Sequence, residues 1–225
     1  MQDWFADHGR RTVALDWLGH GKSTALPDEI WLKRDIIEVR DEVGAVCADL
    51  AEKTGVAPVV MGHSMGGLAT LAHTALGDQK VAALVLLAPV VPAGHVESPV
   101  DVPVTLTEPW EPPPFEQARQ LFYSGVPAAD AERYYALLQA ESPAAVWQAT
   151  RFTAELPIAA LREIPVLAFG AELDLLVPSN AVRSFAESIG ADYVHMSGTG
   201  HGLTLDPVSE DVCRQSEEWL RSKLA

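Results

Sequence analysis

Apolar residues fall along this chain in two alternating rhythms. Short unbroken runs occur at residues 12–16 (TVALD), 57–61 (APVVM), 81–88 (VAALVLLA) and 165–169 (PVLAF), with a weaker fifth at 192–196 (DYVHM). Runs of this length without polar alternation are what strands covered on both faces produce. Between them the spacing changes. Over residues 28–53, Ile36, Val39, Val43, Val46 and Leu50 recur at intervals of three and four, a helical period, and Gly55 is placed to stop that helix. A second helix is predicted from a Ser179 cap to about Gly190, and a third from Asp206 and Pro207 with Val208, Val212, Ser216 and Trp219 as its stripe. Strands alternating with helices predict an α/β fold with a mostly parallel sheet flanked by helices on both faces.

One region breaks the alternation. From 91 to 157 prolines crowd, including Pro112, Pro113 and Pro114, and the remaining pattern is helical with no convincing strand. The reading is one core, residues 1–90 and 158–225, with a helical cap insertion at 91–157. The insertion holds half of the chain's aromatic residues: Trp110, Phe115, Phe122, Tyr123, Tyr134, Tyr135, Trp147 and Phe152. Such a segment forms either the apolar roof of a pocket or a satellite core that buries only itself. The roof reading makes Trp110, Phe122 and Trp147 candidate substrate contacts.

Composition narrows the choice of partners. The 225 residues, 48% of them hydrophobic, suit one sizeable core. With 16 basic against 31 acidic residues the formal charge is -15, which repels phosphate backbones and anionic lipid, so neither nucleic acid nor a membrane is expected as a partner. Cys47 and Cys213 lack the close spacing of a zinc or redox pair and read as buried free thiols. The opening MQDWFADHGRR has no apolar signal-like run and no stretch reaches bilayer length, which predicts a cytoplasmic protein.

The chemistry centres on Gly62-His63-Ser64-Met65-Gly66, followed by Gly67, set directly after APVVM and before the helical run LATLAHTAL. A G-x-S-x-G at a strand-to-helix turn forces its serine into an exposed, strained position. The turn aims the Met65 amide at a developing oxyanion, where the helix N-terminus also favours negative charge. The competing reading is a serine that only tolerates a tight turn. A serine nucleophile needs a base, and seven histidines compete for that role. His201, in the glycine-rich loop GTGHGLTLDP after the last strand candidate, is best placed. His63 reads as a packing or surface residue, whose place next to Ser64 also makes it a substrate-contact candidate. His20, in WLGHGKS, shapes a loop near the pocket. The base needs an acid to hold its tautomer, and Asp174 in FGAELDLLVP stands just past a strand, with Glu172 and Asp101 as alternatives.

With the order Ser64, Asp174, His201 in place, the chain resembles the α/β-hydrolase superfamily in its esterase, lipase and peroxidase-like branch. VALDWLGHGKS resembles the strand and loop before that family's first large helix, VVMGHSMGG its nucleophile elbow, PVLAFGAELDLLVP its acid loop and MSGTGHGLTLDP its histidine loop. The resemblance implies a serine hydrolase acting on a small-molecule carboxylic ester through an acyl-enzyme, with no metal or organic cofactor. Thioesterases, carbon-carbon hydrolases and perhydrolases share the same triad, and a non-catalytic binding or scaffold protein on the same fold is the alternative from another class.

In that family three strands precede the one matched by TVALD, and the loop after the third carries a histidine-glycine pair with the second oxyanion donor. Here about ten residues precede TVALD, and His8-Gly9 reads as a helix end. The expectation is an amino-terminally shortened hydrolase and a poor catalyst. TVALD would then either pair directly with APVVM or leave two unpaired strand edges facing a gap. The alternative is a natural minimal form that takes its second donor from the His20 to Gly21 loop or from a partner chain.

Overall fold

The computed structural model describes residues 1–225 apart from 78–80, 206 and 225. Four of the five apolar runs become strands: β1 (Val59–His63), β2 (Ala83–Leu87), β3 (Val166–Ala171) and β4 (Asp192–Met196). They pair in the order β1-β2-β3-β4, all parallel, so each connection must cross over one face of the sheet. β2 and β3 are buried along their whole length, as their unbroken apolar runs require.

Nine helices among the described residues supply the crossovers and the covering layers: α1 (Gln2–Asp7), α2 (Asp28–Trp31), α3 (Arg40–Thr54), α4 (Met65–Leu76), α5 (Phe115–Phe122), α6 (Ala128–Tyr135), α7 (Pro143–Arg151), α8 (Ser179–Ile189) and α9 (Ser209–Lys223). The period-two alternation of the central strands divides the core. Leu84, Leu86, Val166 and Ala168 face one layer with α3, α4, α7 and α8, through Val43, Leu68, Leu71, Ala149, Val182 and Phe185. Val85, Leu87, Leu167 and Phe169 face the other, with Val212 and Leu220 of α9. The chain is therefore a parallel four-stranded sheet flanked by helices on both faces.

Several local expectations need correction. Residues 12–16 form no strand: they carry no ladder, and Thr12, Val13 and Ala14 are exposed. β1 is paired only with β2 among the described residues, so TVALD has not moved across to pair with it. An apolar pentapeptide becomes a strand only where a neighbouring strand supplies hydrogen bonds, and among the described residues no strand pairs with this one. The 28–53 helix is broken into α2, a 3₁₀ turn at Ile37–Val39 and α3, although Ile36, Val39, Val43 and Cys47 are buried and Gly55 ends α3 at φ +71° as expected. α8 begins at Ser179 itself after Pro178 and has no side-chain cap; Gly190 at φ +73° closes it. Asp206, the expected start of the last helix, lies outside the described residues; α9 begins at Ser209. Cys47 and Cys213 are buried free thiols.

Segment 91–157 carries α5, α6, α7 and one isolated bridge, Trp110 to Glu141, but no strand among its residues. α5 and α6 enclose a small cluster of Ala118, Tyr123, Val126 and Ala131. α7 behaves differently. Ser142 caps it by accepting from the Ala145 amide, Pro143 opens it, and Ala145, Ala149 and Phe152 join the main core.

Candidate active site

The turn from β1 into α4 leaves Ser64 at φ +53°, ψ -122°, a conformation that costs a non-glycine residue about 1–3 kcal/mol. Surrounding bonds hold it there. The Ser64 amide donates to the Leu87 carbonyl (3.0 Å), and the Ser64 carbonyl accepts from Val90 (3.0 Å) and Gly67 (2.9 Å). The flanking glycines are needed for close approach: a Cβ on Gly62 would stand 2.5 Å from the Gly66 carbonyl oxygen, and one on Gly67 2.5 Å from Pro89 Cβ. The turn presents Ser64 Oγ at the carboxyl end of the sheet and makes Met65 the first residue of α4, with its N–H given to no backbone acceptor among the described residues.

Three side chains meet there in a line. His201 Nδ1–H donates to Asp174 Oδ2 (2.7 Å), which leaves Nε2 to accept from Ser64 Oγ–H at 2.8 Å. The His201 and Asp174 side chains are only 4% and 0% exposed. The other oxygen of Asp174, Oδ1, accepts from the amides of Leu176 (2.8 Å) and Val177 (2.9 Å), so both oxygens of the buried carboxylate are hydrogen-bonded. Both alternative acids are placed elsewhere. Glu172 accepts from the Gly198 amide (2.6 Å), and exposed Asp101 makes no hydrogen bond to His201.

The other candidates separate by position. His63 lies beside His201, with ring centroids 4.8 Å apart, and its Nε2–H donates to the His201 carbonyl at 2.8 Å. Burial, with the His201 ring next to it, pushes its pKa down to about 4. Phe122, at the end of α5, brings its ring centroid within 6.5 Å of that of His201. Trp110 instead gives its indole N–H to the Pro103 carbonyl, and Trp147 is 41% exposed with the Arg151 guanidinium over its ring. His20 Nε2 approaches Glu141 Oε1 at 3.1 Å, and that carboxylate holds the imidazole pKa above its ordinary value; the pair ties the 17–23 loop to the segment that carries α7.

Two features of the site escaped sequence reasoning. Gly200 packs so closely on the residue after Tyr123 that a Cβ there would lie 2.6 Å from Ser124 Cβ, which seats the histidine loop against the end of α5. No pattern in the sequence announces that contact. The Leu176 and Val177 amides were more accessible, since an aspartate that binds amides two and three residues onward is a recurrent local motif.

The model of the alpha/beta hydrolase family matches residues 3–211. The chain belongs to that family. No curated protein matches this alpha/beta hydrolase. Solved structures similar to it include a methylesterase from Arabidopsis (TM-score 0.68, 16% identity, covering 96% of this chain and 90% of that one). An esterase from Rhodococcus sp. aligns with TM-score 0.68 and 21% identity over 96% of this chain and 83% of its own. A bromoperoxidase from Bacillus anthracis aligns with TM-score 0.64 and 16% identity over 92% and 80%. At these identities the likeness is one of fold. No helix of this hydrolase is long and apolar enough to cross a membrane, among the described residues.

Proposed function

We propose that this alpha/beta hydrolase cleaves small-molecule carboxylic esters through an acyl-enzyme on Ser64. The observation that carries the reading is the unbroken hydrogen-bond line from Ser64 Oγ through His201 to Asp174. His201 Nε2 takes the hydroxyl proton as Ser64 Oγ bonds to the ester carbonyl carbon, and Asp174 stabilises the resulting imidazolium. The carbonyl oxygen, now negative, is assigned to the Met65 N–H at the start of α4, where the helix dipole adds to the hydrogen bond. Collapse breaks the bond to the leaving alkoxide, which receives the proton from His201. Water then repeats the sequence: His201 deprotonates it as the water oxygen bonds to the acyl carbon, the acyl-Ser64 bond breaks, Ser64 Oγ takes the proton back from His201 and the carboxylic acid leaves.

A fluorophosphonate probe tests this reading directly. Folded protein should be labelled at one site, and Ser64→Ala should abolish the label; absence of labelling in folded wild-type protein overturns the proposal. Phe122 is proposed as an acyl or alcohol contact because its ring stands against His201. Phe122→Ala should therefore shift the preferred chain length in a series of p-nitrophenyl esters while leaving turnover of the acetyl ester within about threefold, since loss of apolar contact in a pocket costs about 1–3 kcal/mol on the groups that fill it. An unchanged profile removes Phe122 from the substrate pocket.

A further inference from the structure

The imidazole of His201 is gripped at both ring nitrogens, but its backbone sits in a loop with little stiffness of its own. Gly198, Gly200 and Gly202 surround it within five residues, and Gly198 adopts φ +67°. Something outside the loop must place the His201 backbone, because an ångström of error at a catalytic base costs about 100-fold in rate. Among the described residues the His201 carbonyl accepts two hydrogen bonds. One comes from within the loop, the Leu203 amide at 2.9 Å; the other is the Nε2–H of His63 at 2.8 Å.

We infer that His63 is a positioning residue, which sets the distance between nucleophile and base by hydrogen-bonding the backbone of His201 from the residue next to Ser64. The inference rests on the proposed roles of Ser64 and His201. Its geometric merit is the shortness of the path. Ser64 and His63 are covalent neighbours at the end of β1, so one hydrogen bond connects the strand that presents the nucleophile to the loop that presents the base. A thermal shift of the loop away from Ser64 has to break that bond.

The chemistry of the donor also fits. When His201 becomes an imidazolium, a charged donor one ring away would oppose it by like-charge repulsion. A neutral imidazole gives the same hydrogen bond without the charge. Burial lowers the His63 pKa to about 4 and so keeps the ring neutral near neutral pH. Burial opposes protonation of His63 most strongly and the His201 ring adds to it; the His201 carbonyl that accepts from His63, and Asp174, favour protonation and are outweighed.

Two variants separate positioning from bulk. His63→Gln places an amide N–H close to where Nε2–H stands, whereas His63→Phe keeps a ring of similar size and removes the donor. Two measurements are made on each. The first is the downfield proton resonance of the Asp174–His201 hydrogen bond in resting protein, which needs no turnover. The second is the second-order rate of fluorophosphonate labelling against pH. The expected result is that His63→Phe broadens or moves the resonance and lowers the labelling rate by about 10- to 100-fold. His63→Gln should keep the wild-type resonance, recover most of the rate and leave the acid limb of the pH profile where it was. A His63→Phe protein that folds and retains both the wild-type resonance and rate overturns the inference, as does a His63→Gln protein no better than His63→Phe. If wild-type protein is not labelled at all while the resonance responds as expected, the positioning role stands and the hydrolytic reading falls.

Discussion

Ser64→Ala is expected to lower ester turnover by about 10⁴- to 10⁶-fold, His201→Ala by a similar factor, and the double variant by no more than either single one. The reason lies in the connectivity. Ser64 Oγ and His201 Nε2 share one hydrogen bond, and each group's part in the reaction exists only through the other. Once the hydroxyl is gone there is no proton for His201 to take, so removing the imidazole as well costs nothing further. Residual turnover should be what the Met65 amide and simple binding supply. Steady-state rates of the three variants on one p-nitrophenyl ester, with circular dichroism to verify folding, test this. Multiplicative losses in the double variant would mean that the two side chains act independently, and near-normal turnover by purified Ser64→Ala would falsify the mechanism outright.

The second large effect is expected at Asp174. Its two oxygens have different work: Oδ1 accepts from the Leu176 and Val177 amides, and Oδ2 accepts Nδ1–H of His201. In Asp174→Asn the two backbone donors require the amide oxygen at the Oδ1 place. The amide nitrogen is thereby turned toward His201, and a donor there cannot meet Nδ1–H. The imidazole must move its proton to Nε2, where it faces Ser64 and can no longer accept the hydroxyl proton. The shape of the site is kept and its chemistry reversed, with an expected loss of about 10⁴-fold in kcat. Nitrogen-15 shifts of His201 report the same event without turnover: the protonated nitrogen should change from Nδ1 in the parent to Nε2 in the variant. A variant that retains Nδ1–H and most of its activity rules out the orienting role.

The parts of this protein legible in its sequence are those whose information is local. β2 and β3 announce themselves because a strand covered on both faces must be apolar at every position, whatever covers it. Gly55 and Gly190 mark helix ends because a left-handed residue there costs glycine alone little. The elbow is legible for the same reason, since a strand, two close-packed glycines and a helix are all written within about ten residues around Ser64. Asp174 and His201 follow from being placed just beyond strand ends, where a parallel sheet collects its loops.

What the sequence could not decide depends on neighbours distant along the chain. TVALD has the composition of a buried strand and is none, because strand formation needs a partner's hydrogen bonds and composition does not say whether one is there. Segment 91–157 held a single pattern of aromatics, but packing divided it: α5 and α6 enclose their own small cluster, with Phe122 of α5 also standing against His201, and α7 joins the main core. His63 is the sharpest case. Its own sequence context reads as packing or surface, and only the folded sheet brings the histidine loop over its Nε2 from 138 positions away. Local sequence determined which residues can do chemistry here; the tertiary structure decided which of them touch, because contact is set by the whole sheet and its loops.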